Sequence, residues 1–328
     1  MDPLMSRALQ ELNEKRYCRK HIDPKIRAWF DGDKDIQGAI EKGVELLETY
    51  RSTTYSYDSK NARVASLASI DLAKLVSDVF VGIAYLTRPE LMTSVVSQLA
   101  GRLNWDDKPA AITTMAEILA VLTDTDAFDI TKPSKYDSLY IESLFVVPED
   151  IAEFITRTEY LPPMIHEPEE LVHNMSNGHL TFNDSLILGK GNHHDGDICL
   201  DVLNLVNKTK FSLNLEFLCK VEEDTSEVTV ESLMDKALRA GKPINKTDAA
   251  ARLVQYQENW EHFKEQSYEF YHLMESQGNV FYLTNKPDKR GRLYSQGYHI
   301  SPQGTSFKKA MLDLANKELI EVPDDFLD

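Results

Sequence analysis

The chain has 328 residues, 42% of them hydrophobic, and a formal net charge of −17 at pH 7 from 36 basic and 53 acidic residues. This length allows two or three domains with hydrophobic cores. The acidic surplus excludes a protein that coats duplex DNA with its whole surface, because such binding needs clustered Lys and Arg.

The location that the sequence predicts is the cytoplasm, without membrane association. No apolar run approaches the roughly 18–20 residues of a transmembrane helix, and the first residues lack the regions of a secretory signal. The three cysteines, Cys18, Cys199 and Cys219, have no metal-type or disulfide-framework spacing. That pattern is typical of free thiols in a reducing compartment.

The N-terminal part, residues 1–157, predicts a helical domain. Apolar residues recur at helical spacing over residues 35–50 and 65–86. Further helices are predicted to begin at Pro89 and at Pro109, since proline is tolerated in the first turn. These helices indicate an ordinary core and carry no specific chemistry.

Residues 158–221 predict a connecting region of hairpin and helix. Pro162 and Pro163 indicate an extended start. A turn-rich stretch leads to a predicted short strand over residues 186–188 and a predicted helix over residues 198–221. In the next region, 222–278, residues 246–277 contain neither Pro nor Gly and predict one helix of roughly 45 Å.

The segment from 279 to 317 has the opposite charge to the chain as a whole. Seven basic residues stand against two acidic ones, a surplus of five, and residues 318–328 then carry five acidic residues. Strands are predicted over 280–283 and 293–300, with a turn over 285–291 between them. Thr305 is predicted to cap a helix that carries Phe307, Met311, Leu312 and Leu314.

The turn Asp-Lys-Arg-Gly-Arg at residues 288–292 is suited to hold phosphate. Arg290 and Arg292 have planar forks for bidentate contacts. Gly291 would let a nucleic-acid backbone approach closely, Asp288 would orient an arginine or brace the turn, and Tyr294 could stack on a nucleotide. The same residues would also suit a surface hairpin with solvated charges.

The run from Asp288 to Tyr294, with Pro302-Gln303-Gly304 after it, resembles the single-subunit RNA polymerases of phages and mitochondria. In that family an Asp-x-x-Gly-Arg-x-Tyr element begins the palm, and a Pro-Gln-Gly turn follows at this distance. Residues 161–221 resemble the family more weakly; Glu170-Leu171 stand near the position of its Trp-Thr. The nucleic-acid-binding residues that the hairpin and the resemblance together predict are Lys289, Arg290, Gly291, Arg292, Tyr294 and Lys309.

The resemblance implies a mainly α chain with small β hairpins. It would comprise the helical N-terminal domain, a thumb-like long helix and, over 279–328, the start of a palm that another chain completes. The family's Mg²⁺-binding aspartates and fingers lie beyond the Pro-Gln-Gly turn. This chain would then hold no catalytic residue and no metal, and Mg²⁺ would be bound mainly by the partner.

Two origins of such a chain stay open: a fragment, or the smaller N-terminal subunit of a split, heterodimeric phage polymerase. Its partners would be the larger subunit, template DNA, the RNA–DNA hybrid and NTPs at a shared site, in the cytoplasm of an infected bacterium.

Two other functions compete with this interpretation. His193, His194 and Asp195 offer nitrogen and oxygen ligands for a metal-dependent phosphohydrolase. The pair His194-Asp195 is similar to that of the HD phosphohydrolases, but Gly189, Gly191 and Gly196 predict a loop where those enzymes have a helix. A non-enzymatic helical adaptor would explain the acidity and would leave the basic hairpin unexplained.

Overall fold

The structure, a computed structural model, describes residues 2–132, 138–156, 160–189, 192–220 and 228–317. It is 57% helical with only small antiparallel sheets of two or three strands, which confirms the predicted fold class. The chain forms two compact units. The N-terminal unit contains Asn13–Glu159 and Gly189–His193, and the C-terminal unit contains Met1–Leu12, Tyr160–Leu188 and His194–Asp328.

The first half of the chain is built from helices and one small sheet. The helices are α1 (Pro3–Tyr17), α2 (Arg19–Gly32), α3 (Lys34–Ser52), α4 (Asp58–Ala65), α5 (Leu72–Ala84), α6 (Met92–Leu99), α7 (Lys108–Leu122) and α8 (Glu149–Ile155). The sheet contains β1 (Glu90–Leu91), β2 (Phe128–Thr131) and β3 (Tyr140–Ser143), with β3 in the centre. Phe30, Phe80 and Phe128 are among the largest fully buried side chains of the core.

Aspartate caps decide where several of these helices begin. Asp107 accepts a hydrogen bond from Ala110 N, so α7 begins with Pro109 in its first turn, as predicted. The single helix predicted over 65–86 is wrong. α4 ends at Ala65, a 3₁₀ turn follows, and Asp71 accepts from Lys74 N to start α5 at Leu72.

The second half contains one long helix among short elements. These are α9 (Leu200–Asn207), β4 (Phe211–Leu213), α10 (Leu215–Lys220), α11 (Val230–Arg239), α12 (Lys246–Ser276), β5 (Asn285–Pro287), β6 (Leu293–Ser295), α13 (Ser306–Ala310) and β7 (Leu312–Leu314). α12 has 31 residues and is capped by Asn245, which confirms the predicted long helix. Most of its buried residues, including Phe270, Tyr271 and Met274, lie near its C-terminal end.

Long-range strand pairing overrides several local predictions in this unit. The helix predicted over 198–221 is wrong, because β4 interrupts it and pairs antiparallel with β7. The predicted helix after Thr305 ends at Ala310, where the buried Met311 leads into β7. Residues 186–188 form bends rather than a strand, and Leu188 N donates to Pro287 O at 2.8 Å.

The basic hairpin also differs in detail from its prediction. Phe281 and Tyr282 form isolated bridges instead of a strand. Residues 285–287, predicted as part of a turn, form β5, and the second strand ends at Ser295 instead of residue 300. The turn is therefore shorter and begins at Asp288.

In the part of the chain that the structure describes, no helix combines the length and the apolar character needed to cross a membrane.

A close helix contact at Gly43 yields a test of the N-terminal core. A Cβ at this α3 position would lie 2.9 Å from a methyl of Val76 on α5 and 3.1 Å from one of Leu122 on α7. Both neighbours are fully buried, and valine is stiff at χ1. We expect Gly43→Ala to lower the free energy of unfolding by about 1 kcal/mol, because overpacking outweighs the gain in helix propensity.

Gly38 supplies the matched control on the same helix. A Cβ at this exposed position meets nothing within 4 Å, so Gly38→Ala should raise the free energy of unfolding by about 0.5–1 kcal/mol. Urea unfolding followed by circular dichroism measures both. Equal shifts of the two midpoints would show that the α3, α5 and α7 contact is looser than described.

Candidate nucleic-acid interface

The predicted site is the tight connection between β5 and β6, residues 288–292, which we call the arginine turn. The strands pair antiparallel, with Lys286 opposite Tyr294 and Pro287 opposite Leu293. Asp288 N donates to Arg292 O at 2.8 Å, and Gly291 N donates to Asp288 O at 2.9 Å. These bonds close the turn on itself.

Gly291 is explained by the backbone of this turn. Its φ is +77°, a left-handed conformation that residues other than glycine rarely adopt. A Cβ there would meet nothing within 4 Å. The predicted reason, close approach of a nucleic-acid backbone, is therefore not needed to account for the glycine.

The carboxylate of Asp288 braces the arginine turn. Its Oδ1 accepts hydrogen bonds from the main-chain N of Arg290 at 2.9 Å and of Arg292 at 3.0 Å. Its Oδ2 accepts hydrogen bonds from Nε and Nη2 of Arg290 at 3.1 and 2.9 Å and from Nε of Arg292 at 3.0 Å, and it forms an ion pair with Nη2 of Arg292 at 2.9 Å. One carboxylate therefore orients both guanidinium groups.

Asp288 and the two arginines that it orients differ in their exposure to solvent. The side chain of Asp288 is 13% exposed, whereas those of Arg290 and Arg292 are 68% and 53% exposed. Lys289 and Gly291 are also exposed. The arginine turn therefore exposes its positively charged side chains to solvent, whereas the carboxylate of Asp288 is largely buried.

The charge state of the turn follows from these contacts. Desolvation alone would raise the pKa of Asp288, but hydrogen bonds from the backbone and side chain of Arg292, together with its charge, outweigh it and lower that pKa. The hydrogen bond to Asp288 raises the pKa of Arg292. Three positive charges then stand against one negative charge, a surplus of two.

Two further predicted residues lie on different elements. Tyr294, on β6, is half-buried, and its ring centroid lies 5.8 Å from the Arg292 guanidinium carbon. Lys309 is exposed on α13, whose N-terminus Thr305 caps. The structure thus brings Tyr294 next to Arg292 and places Lys309 on a separate helix.

Gln303, the middle residue of the Pro-Gln-Gly turn, has a role that its sequence context does not predict. Its Oε1 accepts a hydrogen bond from Ser295 N at 3.1 Å, and its Nε2 donates to Leu293 O at 3.0 Å. Both partners belong to β6. The two halves of the family-like motif are therefore joined by direct hydrogen bonds.

His299, which lies between β6 and the Pro-Gln-Gly turn in the sequence, is the buried centre of an aromatic cluster that the sequence does not predict either. His299 is 3% exposed, stacks on Phe263 and Phe270 of α12, and has its Nδ1 2.8 Å from Ser267 Oγ. Lys308 donates to Tyr298 O and lies 4.3 Å from the Tyr298 ring centroid. Burial lowers the pKa of Lys308.

The cluster keeps His299 uncharged. Desolvation, with smaller contributions from the nearby charges of Lys308 and His262, lowers its pKa from 6.5 to about 4. The neutral ring fits a site that is lined by aromatic side chains and a hydroxyl.

The competing metal site finds no support in the described geometry. His194 Nδ1 accepts from Gly196 N at 3.1 Å, His166 Nδ1 lies 2.9 Å from Ser6 Oγ, and His179 stacks on Phe182. Within the described ranges no three His, Cys, Asp or Glu side chains are grouped to hold a metal ion. Lys190, Gly191 and the acidic residues after 317 lie outside the described residues.

The low pKa of His299 predicts a pH dependence of stability. The unfolded chain binds a proton near pH 6.5 and the folded chain only near pH 4, so the unfolded state is favoured as pH falls through that window. We expect the free energy of unfolding to fall by about 1–2 kcal/mol between pH 7.5 and pH 5 because of this residue. Urea unfolding at a series of pH values measures it.

Variants separate this contribution from that of other groups. His299→Gln should flatten the dependence between pH 5 and pH 6.5, whereas the variant His272→Gln, at an exposed histidine on α12, should retain it. If both variants keep the full dependence, His299 does not titrate as its surroundings indicate.

Comparison with known proteins does not place the chain in a family. No protein-family model matches the sequence, and no curated protein matches it.

Proposed function

We propose that this chain is the smaller subunit of a split DNA-directed RNA polymerase of the single-subunit type. In this proposal it binds template DNA and the RNA–DNA hybrid, and a larger subunit supplies the catalytic aspartates, the rest of the palm and the fingers. The enzyme would transcribe phage genes in the host cytoplasm. The observation that carries the proposal is the arginine turn, in which one carboxylate orients two exposed guanidinium groups.

Pre-organisation makes this turn suited to a nucleic-acid backbone. A flexible arginine loses rotamer entropy when it binds phosphate, and that cost is reduced where its position is already fixed. Asp288 fixes Nε and Nη2 of both arginines, and the second terminal nitrogen, Nη1, takes no part in these contacts. A phosphate oxygen can bind there without displacing Asp288.

The charge distribution supports a local rather than a global binding surface. The whole chain carries −17, yet residues 279–317 carry a surplus of five positive charges. A basic site on an acidic body binds a polyanion at that site and repels it elsewhere. This pattern suits a subunit that holds one segment of hybrid. Tyr294, next to Arg292, offers its ring to a nucleotide.

The proposal assigns phosphoryl transfer to the partner. Mg²⁺ clamps the attacking and leaving oxygens in such reactions, and within the described residues no three His, Cys, Asp or Glu side chains are grouped to hold a metal ion. Residues of this chain would bind and orient the nucleic acid and perform no chemical step.

The first test of this function is activity. The purified chain should incorporate no NTP into RNA on single-stranded or duplex template at any Mg²⁺ concentration, because the proposal places the metal-binding carboxylates on the larger subunit. RNA synthesis should appear when the larger subunit is added. Synthesis by the rigorously purified chain alone would exclude the split-polymerase function.

The second test is Arg292→Ala. If Arg292 holds a phosphate, its loss should weaken binding to an RNA–DNA hybrid by roughly 5- to 150-fold, similarly for all sequences. The slope of log affinity against log salt should fall by about one. Arg292→Lys should remain impaired, because an ammonium group cannot replace a planar fork. Fluorescence anisotropy with the assembled pair, at several salt concentrations, measures these effects.

Arg239→Ala supplies the control, since Arg239 is an exposed arginine at the end of α11. It should change affinity and salt slope far less. If Arg292→Ala matches Arg239→Ala in both, the arginine turn is a charged surface hairpin without a binding role.

A further inference from the structure

We propose that Gln303 is a positioning residue for Arg292, acting through hydrogen bonds to β6. The inference rests on the proposed function of the arginine turn. It assigns to the Pro-Gln-Gly segment the task of holding the nucleic-acid-binding strand in place.

The hydrogen-bond pattern of the hairpin leaves one edge of β6 open to Gln303. Asp288 N donates to Arg292 O, and Gln296 N donates to Thr284 O. In an antiparallel pair, hydrogen-bonded and non-bonded residue pairs alternate. Leu293 and Ser295, opposite Pro287 and Asn285, are therefore non-bonded pairs whose N and O point away from β5.

Gln303 takes up these outward groups. Its carboxamide oxygen accepts from Ser295 N at 3.1 Å, and its carboxamide nitrogen donates to Leu293 O at 3.0 Å. A residue of a neighbouring parallel strand would make the same two bonds, one to each side of the residue opposite. The side chain thus replaces a third strand, and Tyr294 lies between the two bonded residues.

The main chain of Gln303 is hydrogen-bonded to a buried serine. Its main-chain N donates to Ser301 Oγ at 3.2 Å. Ile300 and Ser301 are 1% and 3% exposed, and His299 before them is packed against α12. A short path therefore leads from the core through Gln303 to β6.

The contacts of Gln303 connect β6 to the core, which the contacts of Asp288 do not. Asp288 orients the guanidinium groups within the turn, but all its bonds to Arg290 and Arg292 lie inside that turn. A two-stranded hairpin is marginally stable by itself. Gln303 therefore fixes the strand that directly follows Arg292, and with it the direction in which Arg292 leaves the strand.

A merely structural role would give a different result. If Gln303 only covers an open strand edge, its removal alters the unfolding midpoint and leaves hybrid affinity and its salt slope unchanged in folded protein. If it positions Arg292, its removal weakens binding through Arg292. The two roles are separated by combining the variants.

The experiment uses Gln303→Met, which keeps the length of the side chain and removes both hydrogen bonds, in the assembled pair with the hybrid scaffold. We expect affinity to fall roughly 2- to 10-fold, the range for loss of one or two hydrogen bonds, with a lower salt slope and an unfolding midpoint close to that of the parent. Gln303→Ala should behave alike. Gln98→Met, an exposed glutamine on α6, should change neither.

The decisive measurement is the double variant Gln303→Met with Arg292→Ala. It should bind no more weakly than Arg292→Ala alone, because Gln303 acts through Arg292. Multiplicative losses would overturn the inference by showing an independent contact, and so would unchanged binding by Gln303→Met where Arg292→Ala is impaired. Unimpaired binding by Arg292→Ala would instead remove the proposed function itself.

Discussion

One carboxylate shared by two guanidinium groups is the interaction on which the candidate site depends. Without Asp288, three neighbouring cations would repel one another and the side chains of Arg290 and Arg292 would move independently. With it, both forks are oriented while more than half of each arginine side chain stays exposed. The left-handed conformation of Gly291 lets the chain turn tightly enough for the carboxylate to reach main-chain and side-chain donors together.

A series of contacts within the C-terminal unit connects this ion group to buried residues. Gln303 holds the open edge of β6, and the buried segment from His299 to Ser301 holds Gln303. The rings of Phe263 and Phe270 then join that segment to α12. The arginines and Gln303 are exposed, whereas the segment from His299 to Ser301 is at most 3% exposed. The exposed arginines are therefore connected through Gln303 to a buried segment, and this support helps a small surface turn to keep a fixed geometry.

Two lysines that are neighbours in the chain show why composition alone does not identify a binding surface. Lys309 is exposed, whereas Lys308 lies beside aromatic rings and donates to Tyr298 O. Burial lowers the pKa of Lys308, and its ammonium group is engaged inside the unit. Some of the basic residues that give residues 279–317 their positive charge, such as Lys308, are therefore not available to a polyanion.

The sequence by itself determined the mainly helical fold, the long helix α12, the start of α7 behind Asp107, and the position of the arginine turn. These features depend on residues a few positions apart, through side-chain periodicity, capping and turn chemistry. Only the tertiary structure decided that residues 211–213 form a strand with residues 312–314, that β5 replaces part of a predicted turn, and that Gln303 completes the edge of β6. Those outcomes join segments that are distant in sequence or bonded through a single side chain. Local sequence patterns do not predict these pairings, because the segment that stabilises each of them comes into contact only when the chain has folded.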